Sequence, residues 1–236
     1  MSGGTSSDER PIGIQTDSLS LEGILGLPAK PIGIVLFAHG SGSGRFSPRN
    51  TAVAQVLQRG GLATLLLDLL MPAEADDRRK VFDIHLLADR LLIAKDWLSH
   101  NPGTGVLPLG YFGASTGAGA ALEAAARAPS NVRAVVSRGG RPDLAEAHLS
   151  DVTAPTLLLV GGDDGPVIEM NRTALARLTC AKDLIIVPGA GHLFEEPGTL
   201  EQVADRALQW FLQYLPLHAG GGRRPSSKES QKESHP

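Results

Sequence analysis

A serine set between two glycines, Gly113-Ala114-Ser115-Thr116-Gly117, follows an apolar run ending in Tyr111-Phe112 and opens the Ala-rich stretch 118–128. That order spells strand, sharp turn, helix. The turn needs the glycines because a Cβ at either position would strike the crossing backbone, and it holds the serine in a strained conformation costing about 1–3 kcal/mol. The strain leaves the hydroxyl exposed, with the following backbone N–H aimed at whatever the hydroxyl attacks. A serine hydroxyl is a weak nucleophile near neutral pH, so the chemistry also requires an imidazole to take its proton and a carboxylate to fix the imidazole tautomer. Two later turns carry these groups, each just past an apolar run. Gly161-Gly162-Asp163-Asp164-Gly165-Pro166-Val167 holds two carboxylates, and Pro188-Gly189-Ala190-Gly191-His192-Leu193-Phe194 holds the histidine. The chain order is serine, aspartate, histidine.

Positioning such groups requires a scaffold that brings several strand ends together. Short apolar runs predict eight strands, near 12–16, 20–27, 32–38, 62–67, 106–112, 132–137, 155–161 and 183–187. The first two alternate in part across Asp17-Ser18, as an antiparallel edge hairpin does, whereas Ile32–Ala38 and Thr156–Val160 are continuously apolar, as buried parallel strands are. Ser47-Pro48 starts a helix that Gly60-Gly61 ends, and Leu87, Leu91, Ala94 and Leu98 recur at helical spacing in the next. The alternation implies an α/β fold, a three-layer α/β/α sandwich whose mostly parallel eight-stranded sheet carries helices on both faces. Ligand chemistry then belongs at the carboxyl ends of the strands.

The 236 residues suffice for one such domain, expected over 11–217, with a flexible N-terminus over 1–10 and a disordered tail of Gly, Ser, Lys, Arg, Glu and Pro over 218–236. A net charge of −3 with both signs interspersed offers no basic stripe for nucleic acid and no basic amphipathic helix for a membrane surface. Small molecules are the expected partners. The single cysteine, Cys180, excludes intrachain disulfides and cysteine metal clusters, and no apolar leader or spanning segment is visible, so a cytoplasmic protein is expected. No metal site and no cofactor are expected.

These motifs resemble the α/β-hydrolase superfamily, and within it the dienelactone hydrolase-like group, over roughly residues 11–215. The resemblance rests on the Ser115 turn, His39-Gly40 after the third strand, Gly161-x-x-Asp164-x-x-Val167 and Gly191-His192. It favours Asp164 over Asp163 as the acid. It implies a Ser115, Asp164, His192 triad acting on small carboxylic esters, lactones or thioesters. An oxyanion hole would form from the Thr116 amide, which a helix start leaves unpaired, and by similarity from the amide of Ser41, with Gly42 next. Gly40 and Gly42 would let backbone approach the substrate. Dienelactone hydrolases proper use cysteine as nucleophile; serine here points to a serine esterase.

Other residues invite competing readings. His39 is expected to orient the oxyanion loop. Asp76-Asp77-Arg78-Arg79-Lys80 reads as a solvated loop. Arg138, at the end of the sixth strand, could hold a substrate carboxylate or phosphate together with Arg45 or Arg141. Phe46, Phe82 and Phe194 could line an acyl pocket or pack the core. Gly113-x-x-x-Gly117-x-Gly119 also fits the dinucleotide turn of an NADP-dependent short-chain dehydrogenase, although that turn follows the first strand of its fold. A further alternative is a catalytically silent α/β-hydrolase fold used as a binding module.

Overall fold

A computed structural model describes residues 8–16 and 19–216. Eight strands form one sheet in the order β1-β2-β4-β3-β5-β6-β7-β8. They are β1 (Asp8–Thr16), β2 (Leu19–Leu27), β3 (Ile34–Ala38), β4 (Ala63–Leu67), β5 (Leu109–Ala114), β6 (Val132–Arg138), β7 (Thr156–Gly161) and β8 (Lys182–Val187). β1 and β2 pair antiparallel and β2 joins β4 antiparallel; all other pairings are parallel.

Alternation along the central strands divides the core into two layers. Ile34 and Leu36 point to one face, Val35 and Phe37 to the other. The first face is covered by α4 (Ile84–His100), whose Leu87, Leu91, Ala94 and Leu98 are all buried, and by α5 (Thr116–Arg127). A 3₁₀ segment, Pro142–Asp151, and α6 (Gly165–Arg177) complete that layer. The second face is covered by α1 (Pro48–Arg59) and α7 (Thr199–Tyr214), which pack on each other. Phe37 and Phe112 stack beneath them with ring centroids 4.9 Å apart.

The order of the strands fixes where a ligand can bind. β3 and β5 are neighbours, yet the chain leaves β3 for α1 on one face and leaves β5 for α5 on the other. The connections diverge and open a crevice at the carboxyl ends of the two strands. α5 can lie close to the sheet because β5 carries a glycine beneath it: a Cβ on Gly113 would sit 2.8 Å from Ala118 N.

Three boundaries differ from the sequence expectation. β1 begins at Asp8, so residues 8–10 belong to the sheet rather than to a flexible terminus, because they pair in turn with Leu27, Gly26 and Leu25. β5 begins at Leu109 rather than near 106, since Val106 is 86% exposed, and it runs on to Ala114, directly into Ser115. Asp76–Lys80 is not a plain loop. Short helices α2 (Pro72–Ala75) and α3 (Arg78–Val81) flank Asp76 and Asp77, and the Asp77 carboxylate accepts from Arg79 N at 3.0 Å. The expected tail over 218–236 and residues 1–7 lie outside the described residues.

Candidate active site

Ser115 is the N-cap of α5 and has φ 50° and ψ −122°. Apart from Phe194 it is the only non-glycine described residue with positive φ, a conformation that L-residues adopt only under local constraint. The constraint is visible in the backbone. Ser115 N donates to Arg138 O (3.2 Å), and Ser115 O accepts from Ala118 N (3.1 Å) and Arg141 N (3.0 Å). Close packing leaves no room for side chains around it: a Cβ on Gly40 would lie 2.9 Å from Ser115 Cβ, and one on Gly117 would lie 2.5 Å from His39 O and nearer still to Ala38 O.

His192 and Asp164 meet at a single hydrogen bond. Nδ1 of His192 lies 2.6 Å from Asp164 Oδ2, with the carboxylate side chain 13% exposed and the imidazole 38%. A carboxylate only accepts, so the Nδ1 hydrogen points to Asp164 and Nε2 is left free to take a proton. Asp164 is the N-cap of α6, yet its side chain makes no capping bond to that helix. Such a cap is ordinarily worth about 1 kcal/mol, and here the carboxylate turns to the histidine instead. Asp163 is exposed and contributes its backbone, N–H to Ala190 O at 3.0 Å. Together with Gly162 N to Val187 O (2.8 Å) this bond ties the acid turn to the histidine turn. Of the two adjacent aspartates, Asp164 is the one whose carboxylate reaches His192.

One short stretch joins serine and histidine. Arg138 and Arg141 hold the Ser115 backbone as described, and between them Gly139, at φ 50°, lies against the imidazole: a Cβ there would sit 3.6 Å from His192 Cε1 and 3.0 Å from His192 O. Phe194, two residues after the histidine, is 2% exposed and has φ 56°; its buried ring anchors the histidine turn in the α1/α7 layer.

A cleft of about 380 Å³ is lined by Thr116, the residue after Ser115, and by the loop that follows β3. Gly40, Ser41, Gly42 and Thr116 are all among its lining residues, so the two residues expected to supply oxyanion amides border one space. Ser43 N donates to Gly40 O (3.2 Å), but neither Ser41 N nor Thr116 N engages a turn carbonyl among the described residues. The loop is pinned from behind. Arg45 N donates to Asp68 Oδ1 at 2.6 Å, its guanidinium forms ion pairs with Asp68 and Glu22, and His39 Nε2 accepts from Leu69 N at 3.0 Å. Burial lowers the His39 pKa below its ordinary 6.5, outweighing the Gly40 carbonyl and the Asp68 charge. A neutral ring keeps the Nε2 lone pair for Leu69.

The opposite wall was not singled out from the sequence. Leu70, Pro72, Ala75, Val81 and Leu87 supply its apolar part, and Asp76 its rim. This wall comes from α2 and α3, with Leu70 just before α2 and Leu87 from α4, and the buried Glu74 of α2 accepts from Met71 N, Lys80 and Arg90 at 3.0–3.2 Å. Met71-Pro72 and Asp77 were the available start signals for those turns. Of the three phenylalanines, Phe46 (69% exposed) and Phe82 (40%) lie under Arg45 and Arg78, and only Phe194 is core. Arg138 is buried, whereas Arg45 and Arg141 are engaged by Asp68 and Asp143 and so do not join it.

Sheet order, helix layers and a strained serine between β5 and α5 define the α/β-hydrolase fold. Residues 22–216 match the model of the dienelactone hydrolase family, and the chain belongs to that family. The crystal structure of a dienelactone hydrolase from Anabaena variabilis is 57% identical, covers 89% of this chain and 99% of its own, and superposes with a TM-score of 0.86. Est1E from Butyrivibrio proteoclasticus, 17% identical over 86% of this chain and 98% of its own, shares the fold with a TM-score of 0.75. A Mycobacterium tuberculosis protein, provisionally named a phosphoribosyl transferase, is 61% identical over 193 residues, 82% of this chain but 44% of its own length. The chain therefore spans less than half of that relative. Family membership, with the glycine turn after β5 instead of the first strand, overturns the dehydrogenase alternative. Among the described residues no helix is long and apolar enough to cross a membrane, and no group of three or more His, Cys, Asp or Glu could hold a metal ion.

Proposed function

We propose that this chain is a serine hydrolase that cleaves small carboxylic esters, lactones or thioesters through an acyl-enzyme on Ser115. Membership of the dienelactone hydrolase family supports hydrolysis. The observation that carries the finer reading is the His192–Asp164 hydrogen bond at 2.6 Å, which leaves Nε2 free as base on a turn packed against Gly139, between the two arginines that hold the Ser115 backbone. In this mechanism His192 Nε2 takes the Ser115 hydroxyl proton as Oγ bonds to the carbonyl carbon. The carbonyl oxygen becomes an oxyanion facing the Ser41 and Thr116 amides, each such donor being worth about 2.7–4 kcal/mol in the transition state. The bond to the leaving alcohol then breaks and His192 returns the proton to it. Water repeats the sequence on the acyl-enzyme, and the acid product departs.

The open cleft, about 380 Å³ and walled by Leu70, Ala75 and Val81, suits a short acyl or ring substrate. The transferase name of the mycobacterial relative does not transfer, because it describes a chain of which this segment matches 44%. A fluorophosphonate probe tests the proposal together with turnover of 4-nitrophenyl butyrate. Labelling and turnover should both disappear in Ser115→Ala with the melting temperature retained. A wild-type chain that neither labels nor turns over would instead fit a silent binding module.

A further inference from the structure

The stretch that joins serine and histidine is built on Gly139-Gly140, and glycines have the widest backbone freedom of any residue. Arg138 O before the pair and Arg141 N after it hold the Ser115 backbone, while Gly139 lies against His192. Neither glycine has a side chain with which to brace the stretch. A Cβ on Gly140 would overlap the Ser137 hydroxyl and lie 2.6 Å from Ala118 Cβ, so the packing leaves no room for one. The pair is held through its backbone atoms instead. Gly139 N donates to Leu159 O at 2.8 Å, which ties it to β7. The buried Gly140 accepts at its carbonyl from Asn171 Nδ2 at 3.0 Å, and among the described residues no other donor reaches that oxygen.

Asn171 is fully buried on α6, where the other buried residues are Val167 and Ala174. Packing alone would favour an apolar residue there, because burying an amide is costly unless its hydrogen bonds are made. The amide orientation follows from its neighbours. One end faces two carbonyls, Gly140 O and Val167 O (2.8 Å), and only the NH₂ end can donate to them. Oδ1 has no partner, so the contact that leaves the helix is the donation to Gly140. The same helix carries the acid. Asp164 is its N-cap residue and Asn171 follows about two turns later, so one rigid element reaches His192 with a carboxylate and Gly140 with an amide. We propose that Asn171 is a positioning residue for the reaction: its hydrogen bond to Gly140 O locks residues 138–141 and, through them, the placement of Ser115 against His192. This rests on the hydrolase reading above and adds to it a residue that acts through Gly140 rather than on the substrate.

The test follows 4-nitrophenyl butyrate turnover by the full chain, Asn171→Leu and Asn171→Asp from about pH 6 to 9. Exhaustive fluorophosphonate labelling counts the competent sites in each sample, so that kcat is expressed per labelled serine. Asn171→Leu, close in volume, should lower that kcat about tenfold or more and leave KM within about threefold, because the shift falls on the reacting atoms and not on the cleft wall. In Asn171→Asp the buried carboxyl faces two carbonyls, so near pH 6 it should keep its proton, donate O–H to Gly140 O and retain most of the wild-type kcat. As pH rises it ionises and sets acceptor against acceptor. Its kcat relative to wild type should then fall toward that of Asn171→Leu, and recover when the pH is returned. Wild-type kcat per labelled serine in Asn171→Leu overturns the proposal. So does a loss that tracks the number of labelled sites, which makes Asn171 structural. Should Asn171→Leu fail to fold, the Asn171→Asp profile decides, and a ratio to wild type that does not change with pH overturns the proposal. A wild type that neither labels nor turns over removes the hydrolase reading, and the positioning role with it.

Discussion

Replacing Gly117 by alanine adds one methyl group where the structure has no space for it. The new Cβ would stand 2.5 Å from His39 O and closer to Ala38 O, whereas real Cβ atoms are essentially never found within 3.0 Å of such neighbours. Both obstacles are backbone at the end of β3, so no side chain can swing away. The first turn of α5 must then move from β3 by roughly 0.5–1 Å, and displacements of that order at a reacting centre cost about 10²-fold in rate. The displaced turn carries Ser115 and the Thr116 amide, while Ser41 stays with β3, so the expected loss falls on kcat more than on KM. Overpacking should also lower stability by about 1–3 kcal/mol. Turnover of 4-nitrophenyl butyrate and a urea unfolding curve read the two effects. Gly103→Ala is the control, since a Cβ there meets nothing closer than 3.7 Å. A Gly117→Ala enzyme with wild-type kcat and stability would refute the claim that β3 and the elbow are held at this separation for catalysis.

Further outcomes follow from other contacts. Asp164→Asn should lower kcat by about 10³–10⁴-fold by permitting the wrong imidazole tautomer, while Asp163→Asn, whose exposed side chain makes no such bond, should stay within a few fold; equal losses would undo the assignment of the acid. Phe194→Gly relieves a left-handed backbone worth about 1–2 kcal/mol but removes a buried ring whose loss costs about 3–5 kcal/mol, so net destabilisation is expected by thermal melting, and a rise in melting temperature would show that strain dominates. His39 titrates below 6.5 in the folded state because of burial. The unfolded chain therefore binds more protons between 6.5 and that lowered value, and the stability His39 contributes is present above 6.5 and lost as pH falls through the folded pKa. Urea unfolding of wild type against His39→Gln should show this as a shallower acid slope in the variant, and identical slopes would rule it out.

Much of the scaffold was legible because it depends on local pattern. Continuous apolar runs at 34–38 and 156–160 could only be strands buried on both faces, and the Leu87, Leu91, Ala94, Leu98 spacing could only be one face of a helix. Boundaries slipped where the pattern was silent. Leu107-Pro108 is apolar but precedes β5, and Asp8–Arg10 is polar yet pairs as an edge strand, which needs only backbone hydrogen bonds. The α2/α3 wall of the cleft escaped notice because a charged five-residue run looks alike in a loop and in short helical turns held by a buried glutamate.

By itself the sequence determined which residue types were available in which order: a serine between glycines, two adjacent aspartates, and one histidine in a glycine turn. Backbone sterics at the elbow are local, so the glycines alone announced the strain. The tertiary structure decided everything that depends on distances across the sheet. It turned Asp164 rather than Asp163 toward His192, because only Asp164 sits at the N-cap of α6 facing the β8 turn. It bound Arg45 and Arg141 to nearby carboxylates and left Arg138 against Arg49, two residues 89 positions apart whose encounter depends on α1 and β6 packing in one layer. Charge pairing is long-range in sequence and short-range in space, so only the folded chain could say which arginine had no partner.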